Sequence, residues 1–216
     1  MRLKQLSSLL ENVRPFQRPK IVYEQYSTSA HIAANILHKI FTDFDEDLGS
    51  LSVADLGSGA GIFTVGAAAL GAGYVLAVDL DSEAILDTKQ NLDIIDEQFD
   101  DLSSSVELIQ ADVRNEQMFA AFEKKFDVVV MNPPFGTKRE QGIDMIFLQR
   151  ALQLSTEAVY SLHKSATRKY IVNKFEKVGI NATVLSQIRF DLPQTYKCHK
   201  QATRDIDVDF IKFTFD

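Results

Sequence analysis

Asn132-Pro133-Pro134-Phe135 follows directly on the apolar run Phe126-Asp127-Val128-Val129-Val130-Met131. Two successive prolines fix the backbone and remove its amide donors, which leaves carbonyls free to face a ligand. The side-chain oxygen of Asn132 and the carbonyl of Pro133 can then accept both hydrogens of one –NH2 group. Held in that way, a planar amine has its lone pair drawn out of conjugation and aimed, so catalysis rests on positioning and electrostatics rather than on a base. Phe135 adds a ring able to stack on a flat substrate. A proline turn closing a buried strand is the bland reading of these four residues, and their place after a strand in a sheet with a glycine-rich turn favours the chemical one.

That turn is Val53-Ala54-Asp55-Leu56-Gly57-Ser58-Gly59-Ala60-Gly61. Its spacing is G-x-G-x-G, not the G-x-G-x-x-G of dinucleotide sites, and Asp55 stands two residues before the first glycine. A carboxylate there repels a pyrophosphate but favours a cationic ligand. S-adenosylmethionine carries an ammonium and a sulfonium and no phosphate, so it fits. Gly57 and Gly59, with the backbone of Ala60 and Ile62, are expected along its methionine portion. Asp79, at the end of the next apolar run, is placed to accept both ribose hydroxyls. Asp81 reads instead as a helix cap. Asp112 is expected to accept from the adenine amino group, with Val113 packed on the ring.

The surrounding elements must hold these residues at one edge of a sheet. Apolar runs alternate with helix-period segments, the pattern of a parallel sheet covered by helices. Strands are expected at 51–56, 74–78, 106–110, 126–131 and 158–162. Helices are expected near 3–13, from a cap at Thr28 or Ser29 through Ile40, and at 62–70, 83–99, 115–124, 143–154 and 166–178. The C-terminal segments 182–190 and 206–215 both read as strands without an intervening helix, so they should pair antiparallel. In the second, Ile206, Val208 and Phe210 alternate with Asp205, Asp207 and Asp209, the period of a strand. The sum is an α/β, class I methyltransferase type of doubly wound sheet, mostly parallel with a C-terminal antiparallel hairpin. We read residues 1–216 as a single domain, with 1–45 an N-terminal helical extension and cofactor lid and 46–216 a Rossmann-like core.

Composition sets limits on this reading. Of 216 residues, 45% are hydrophobic and 25% charged, the balance of an ordinary globular chain. A single cysteine, Cys198, suggests a reducing compartment. No apolar stretch approaches a membrane span, and no signal-like segment opens the chain, so the expected location is cytoplasm and nucleus. The net charge of −7 means that any contact with nucleic acid must be focal. Positive charge gathers at Lys138-Arg139, His163-Lys164, Arg168-Lys169, and Lys197 with Lys200. The four histidines show no metal-ligand spacing, and no metal site is expected.

The chain resembles the methyltransferase-like protein 5 family at Glu24-Gln25-Tyr26-Ser27-Thr28, at Asn132 through Lys138, at Val159 through Ser165 and at Asp191 through Lys197. The resemblance runs over nearly the whole chain. It implies methylation of N6 of an adenosine in small-subunit (18S) ribosomal RNA, with S-adenosyl-L-methionine as cofactor and a small zinc-binding activator subunit as partner. It also implies that Gln25 and Thr28 lie over the cofactor. The tetrad by itself suits a glutamine side chain equally well. A protein N5-glutamine methyltransferase of release-factor type therefore stays as the alternative, although such enzymes usually carry tyrosine at the position of Phe135. A non-catalytic scaffold needs neither the tetrad nor the acidic series. An adenosine must leave its stack to reach a pocket at a strand end. Lys138, Arg139, Tyr196, Lys197, His199 and Lys200 are the candidate RNA contacts. Strand 106–110, expected at a sheet edge and lacking proline or lysine, is the expected docking edge for the activator.

Overall fold

In the computed structural model, residues 1–44, 48–99, 102–136, 141–193 and 203–215 are described. The elements in order are α1 (Leu3–Leu10), α2 (Ala30–Thr42), β1 (Ser52–Leu56), α3 (Ile62–Ala69), β2 (Tyr74–Asp79), α4 (Ser82–Asp96) and β3 (Val106–Gln110). They continue with α5 (Glu116–Phe119), β4 (Phe126–Met131), α6 (Ile143–Leu154), β5 (Ser155–Lys164), α7 (Arg168–Glu176), β6 (Ile180–Pro193) and β7 (Thr203–Phe215). The sheet order is β3-β2-β1-β4-β5-β7-β6. The first five strands in chain order pair in parallel, and β7 runs antiparallel to both β5 and β6. The expected fold class is therefore the one observed.

Two apolar layers sandwich this sheet. On one face Leu6 and Leu10 of α1, Leu37 and Ile40 of α2 and Val65 of α3 pack over Val53, Val128 and Tyr160. The N-terminal helices thus belong to the core and are more than an appendage. Gly66 allows the close approach of α2 to α3, because a Cβ there would lie 2.3 Å from Leu37 Cδ1. Ser29 rather than Thr28 caps α2, its hydroxyl accepting from the Ile32 amide at 3.3 Å. On the other face Met145 and Leu148 of α6 and Ile171 and Phe175 of α7 cover Leu56, Val129, Val159 and Phe213.

Three segments depart from expectation for physical reasons. The helix expected across 115–124 is the short α5 followed by a 3-10 turn at Ala120–Phe122. Lys124 adopts a left-handed φ of 50° and donates to the carbonyls of Leu152 and Ser155, which stops any helix. Strand β5 is longer than 158–162, because Ser155 ends α6 and starts the strand at once. Third, the last two strands run beyond 182–190 and 206–215, to Ile180–Pro193 and Thr203–Phe215. β7 lies inside the sheet, and its acidic face is covered at Asp209, which is 0% exposed. Arg168 Nε and Nη2 donate to the Asp209 carboxylate at 2.6 Å each, and Ser165 Oγ donates at 2.6 Å.

Burial pushes the Asp209 carboxyl up, but the hydrogen bonds from Arg168 and Ser165 outweigh it and hold the group below its usual range. A depressed folded pKa contributes stability that is complete above the unfolded value, about 3.9, and is lost as pH falls through the folded value. Asp209→Asn should therefore lower stability at pH 7 by about 1–3 kcal/mol, at the modest end because Arg168 is partly in water. Urea unfolding across pH 7 to 2.5 checks this: the two curves should converge at the acid end, and a constant gap would contradict it.

Candidate active site

The glycine turn after β1 is built by its neighbours. Gly57 and Ser58 amides both donate to the Val78 carbonyl, at 2.8 and 3.0 Å, which folds the turn over the end of β2. Gly57, Gly59 and Gly61 have φ of 73°, 57° and 85°, conformations that side chains other than glycine resist. Helix α4 supplies the remaining partners: Thr88 Oγ1 donates to the Gly59 carbonyl and Asn91 Nδ2 to that of Ala60, both at 2.8 Å. Asp79 accepts from the Gly59 amide through Oδ2 and from the Asp81 amide through Oδ1, each at 2.9 Å. A carboxylate holds about four lone-pair positions, so two further hydroxyl hydrogens can still be accepted.

This turn forms one side of a cavity of about 480 Å³. Gln25, Thr28, Gly57, Gly59, Ala60, Ile62, Asp79, Asp112, Val113, Asn132 and Pro134 all line it. The sequence-predicted residues Asp55, Pro133 and Phe135 are not on its wall. Asp55 lies beneath the turn, 1% exposed, with Oδ2 accepting from Thr64 Oγ1 at 2.7 Å. Burial pushes its carboxyl up to about 7 against the opposing Thr64 bonds, and the nearby Asp79 adds to the rise. Burial likewise raises Asp79. Both acids are thus under-compensated, and a cation brought close relieves them. Phe135 is half-buried and meets Phe190 edge-on at 6.3 Å. Lys164 Nζ donates to the Phe135 carbonyl at 3.2 Å and so pins the far end of the tetrad to the last residue of β5.

Asn132 Nδ2 donates to Thr28 Oγ1 at 3.0 Å, while its Oδ1 is buried without a partner. Ser58 Oγ and Asp55 Oδ1 are the other buried side-chain atoms in that state among the described residues. An unpaired buried acceptor costs about 1–3 kcal/mol. All three are oxygens at or just beneath one cavity, so they fit a ligand set rich in N–H donors.

Residues 11–29 close the cavity from above, and spacing gave no sign of it. Asn91 receives the Arg14 amide at 2.9 Å and returns a bond to its carbonyl at 2.9 Å. Asp87 accepts from the Gln17 amide at 3.1 Å. Asp81 caps α4 as expected, through the Glu83 amide, and also accepts from Lys20 Nζ at 2.6 Å and Gln25 Nε2 at 2.9 Å. Burial would raise Asp81, but these partners hold it below its usual range. Gln25 accordingly braces the segment through Asp81 as well as lining the cavity. Phe16, Tyr23, Tyr26 and Phe147 complete the wall. The available signal was on α4, where polar Asp87, Thr88 and Asn91 occupy buried positions that an apolar stripe would claim.

Asp112 accepts from the Arg114 amide and Nε at 2.9 and 3.0 Å, and these bonds outweigh burial and lower its pKa. His163 is a satisfied core residue, 0% exposed, with Ser161 Oγ at 2.9 Å and Asp144 Oδ2 at 3.4 Å. It is not part of a basic surface, and Arg168 is engaged by Asp209. Lys138, Arg139, Tyr196, Lys197, His199 and Lys200 lie outside the described residues.

A parallel sheet that finishes in an antiparallel hairpin, with the glycine turn and the tetrad opening on one cavity, defines a class I methyltransferase. The methyl donor of that class is S-adenosylmethionine. A family model for ribosomal protein L11 methyltransferase (PrmA) matches residues 28–133, the stretch from Thr28 to the first two residues of the tetrad. The rRNA N(6)-adenosine-methyltransferase METTL5 of Danio rerio is 45% identical over 214 residues, 99% of each chain. Mettl5 of Drosophila melanogaster, described in the same words, is 39% identical over 99% of this chain and 96% of its own. A solved Pyrococcus horikoshii structure, a candidate RNA methyltransferase, superposes with a TM-score of 0.80 at 30% identity over 100% of this chain and 98% of its own. The chain belongs to the METTL5 family of methyltransferases.

Proposed function

We propose that the chain is an S-adenosylmethionine-dependent N6-adenosine methyltransferase of small-subunit (18S) ribosomal RNA, acting in cytoplasm and nucleus. One observation carries the chemistry: the Asn132 amide is locked through its nitrogen by Thr28, so its oxygen is buried, unpaired and aimed as an acceptor. Three relatives that align over 95–99% of the chain are rRNA N(6)-adenosine-methyltransferases, which favours adenosine over glutamine. The ribosomal-protein methyltransferase model spans only 28–133, where the donor is held, and so bears less on the acceptor.

When bound, the cofactor supplies an electrophilic methyl carbon. Gly57, Gly59, Ala60 and Ile62 would hold its methionine portion, and Ser58 Oγ would offer an acceptor to its ammonium. Asp55 stabilises the positive charge from beneath the turn. Asp79 would accept the ribose hydroxyls, Asp112 would accept from the adenine amine and Val113 would pack on that ring. Gln25 and Thr28 hold the lid over it. Asn132 Oδ1 and the Pro133 carbonyl accept the two hydrogens of the substrate amine, while Pro134 keeps the turn rigid. Phe135, packed edge-on against Phe190, anchors the far end of the turn. During transfer those two acceptors would stabilise the positive charge developing on the amine nitrogen, whose extra proton would pass to solvent.

Nucleoside mass spectrometry of small-subunit rRNA, from cells with and without the protein, tests this function. Loss of N6-methyladenosine, restored by the intact chain, is the expected result. Unchanged N6-methyladenosine with loss of methylglutamine would move the assignment to the protein substrate.

The partner is a small zinc-binding activator subunit docked along β3. This strand ends the sheet, and Val106, Leu108 and Ile109 are half-buried rather than covered. The Ala111 amide donates to Asp79 of β2 at 2.8 Å. Alternate amides point to opposite sides of a strand, so the Leu108 amide points to the open edge. Leu108→Pro should therefore spare the β2 ladder and weaken the complex at least about tenfold. Co-purification and light scattering read the result. A fully active monomer, unaffected by the proline, would contradict the partner.

A further inference from the structure

The outer face of α7 has no part in the cofactor site, yet it carries a concentration of positive charge in an acidic chain. Across residues 164–178 lie Lys164, Arg168, Lys169, Lys174 and Lys177 against Glu176 alone, in a chain of net charge −7. Arg168 is spent on Asp209. Ile171 and Phe175 turn inward to the core. At helical spacing Lys169, Tyr170, Asn173 and Lys177 then share one outward stripe, and all four are exposed. Tyr170 is 60% exposed, with Lys174 Nζ 5.8 Å from its ring centre. An exposed aromatic flanked by lysines is a combination that tracks nucleic acid, with the ring stacking a base and the ammoniums meeting phosphates.

Its position adds to the argument. Lys164 ends β5 and donates to the Phe135 carbonyl, and α7 begins four residues later. The helix therefore begins a few residues after the end of β5 that contacts the Asn132–Phe135 loop. It lies on the sheet face of α6, opposite the face of α1 and of Leu92 and Ile95 of α4.

We propose that Lys169, Tyr170, Asn173 and Lys177 form an RNA-tracking surface that guides the substrate strand to the catalytic loop. This rests on the RNA reading of the active site. Two lysines meeting phosphates contribute to the salt dependence of binding, about 0.7–0.9 per contact in the log–log slope. Tyr170 holds one base beside the strand and leaves the flipped adenosine to the cavity.

The test uses the full chain purified with its activator subunit, with a labelled transcript of small-subunit rRNA titrated at several salt concentrations. Lys169→Glu/Lys177→Glu should raise the RNA Kd at least about tenfold and flatten the slope by roughly 1–2. Tyr170→Ala should raise Kd about fivefold or more with little change in slope. All variants should keep wild-type S-adenosylmethionine affinity and melting temperature, with KM for RNA rising and kcat at saturating RNA unchanged. Lys4→Glu/Lys89→Glu makes the same charge change among exposed residues on the opposite helical layer and should alter Kd less than twofold. Equal weakening in that control, or wild-type RNA affinity in the α7 variants, overturns the proposal. Failure of the wild-type chain to bind or methylate the RNA would instead overturn the reading on which it rests.

Discussion

The hydrogen bond from Asn132 Nδ2 to Thr28 Oγ1, 3.0 Å long, is the constraint on which the site depends. It joins two parts of the chain that the sheet alone would leave separate: the loop after β4 and the segment entering α2. Thr28 is held because Ser29 caps α2, and α2 is held because its apolar face lies in the core. Asn132 is held because β4 is a central strand paired on both sides. With one end of the amide fixed in this way, the other end has a direction. A free asparagine in a loop would find water or backbone. Here the oxygen stays buried and unsatisfied, a cost that folding elsewhere must offset.

The cavity repeats that logic in charge. Asp55, Asp79, Asp81 and Asp112 surround or underlie it, yet they are not equivalent. Asp81 and Asp112 are compensated by Lys20, Gln25 and Arg114 and lie below their ordinary range. Asp55 and Asp79 are raised by burial. The first pair builds walls, and the second pair awaits positive charge or hydroxyl donors. This division suits a cationic donor with a ribose, and it gives the methyl-transfer proposal an electrostatic basis independent of the tetrad.

Much of this was legible from the residues, because the patterns concerned are local. The G-x-G-x-G turn, the two prolines and the alternation of strands with helices each follow from backbone preference over a few positions. The parallel order with an antiparallel finish followed from the missing helix between the last two strands. What escaped were contacts between distant segments. Alternation along β7 gives no sign of a partner for Asp209, and only the tertiary fold places Arg168 against it. The grip of α4 on residues 14–17 is invisible to periodicity, because it runs through side chains bonding to backbone some 70 residues away. Phe135 was expected on the cavity wall and instead meets Phe190, a packing choice that no spacing rule encodes.

Single-turnover methylation by Asn132→Ala, with S-adenosylmethionine affinity measured by calorimetry on the same sample, tests the central claim most directly. The locked amide account predicts methyl transfer slowed at least about a hundredfold, the loss expected when an aimed acceptor is removed. Cofactor affinity should stay within a few-fold, since Gly57, Gly59 and Asp79 are untouched. Near-normal transfer by the alanine variant would contradict the account, and the tetrad would then be a structural turn.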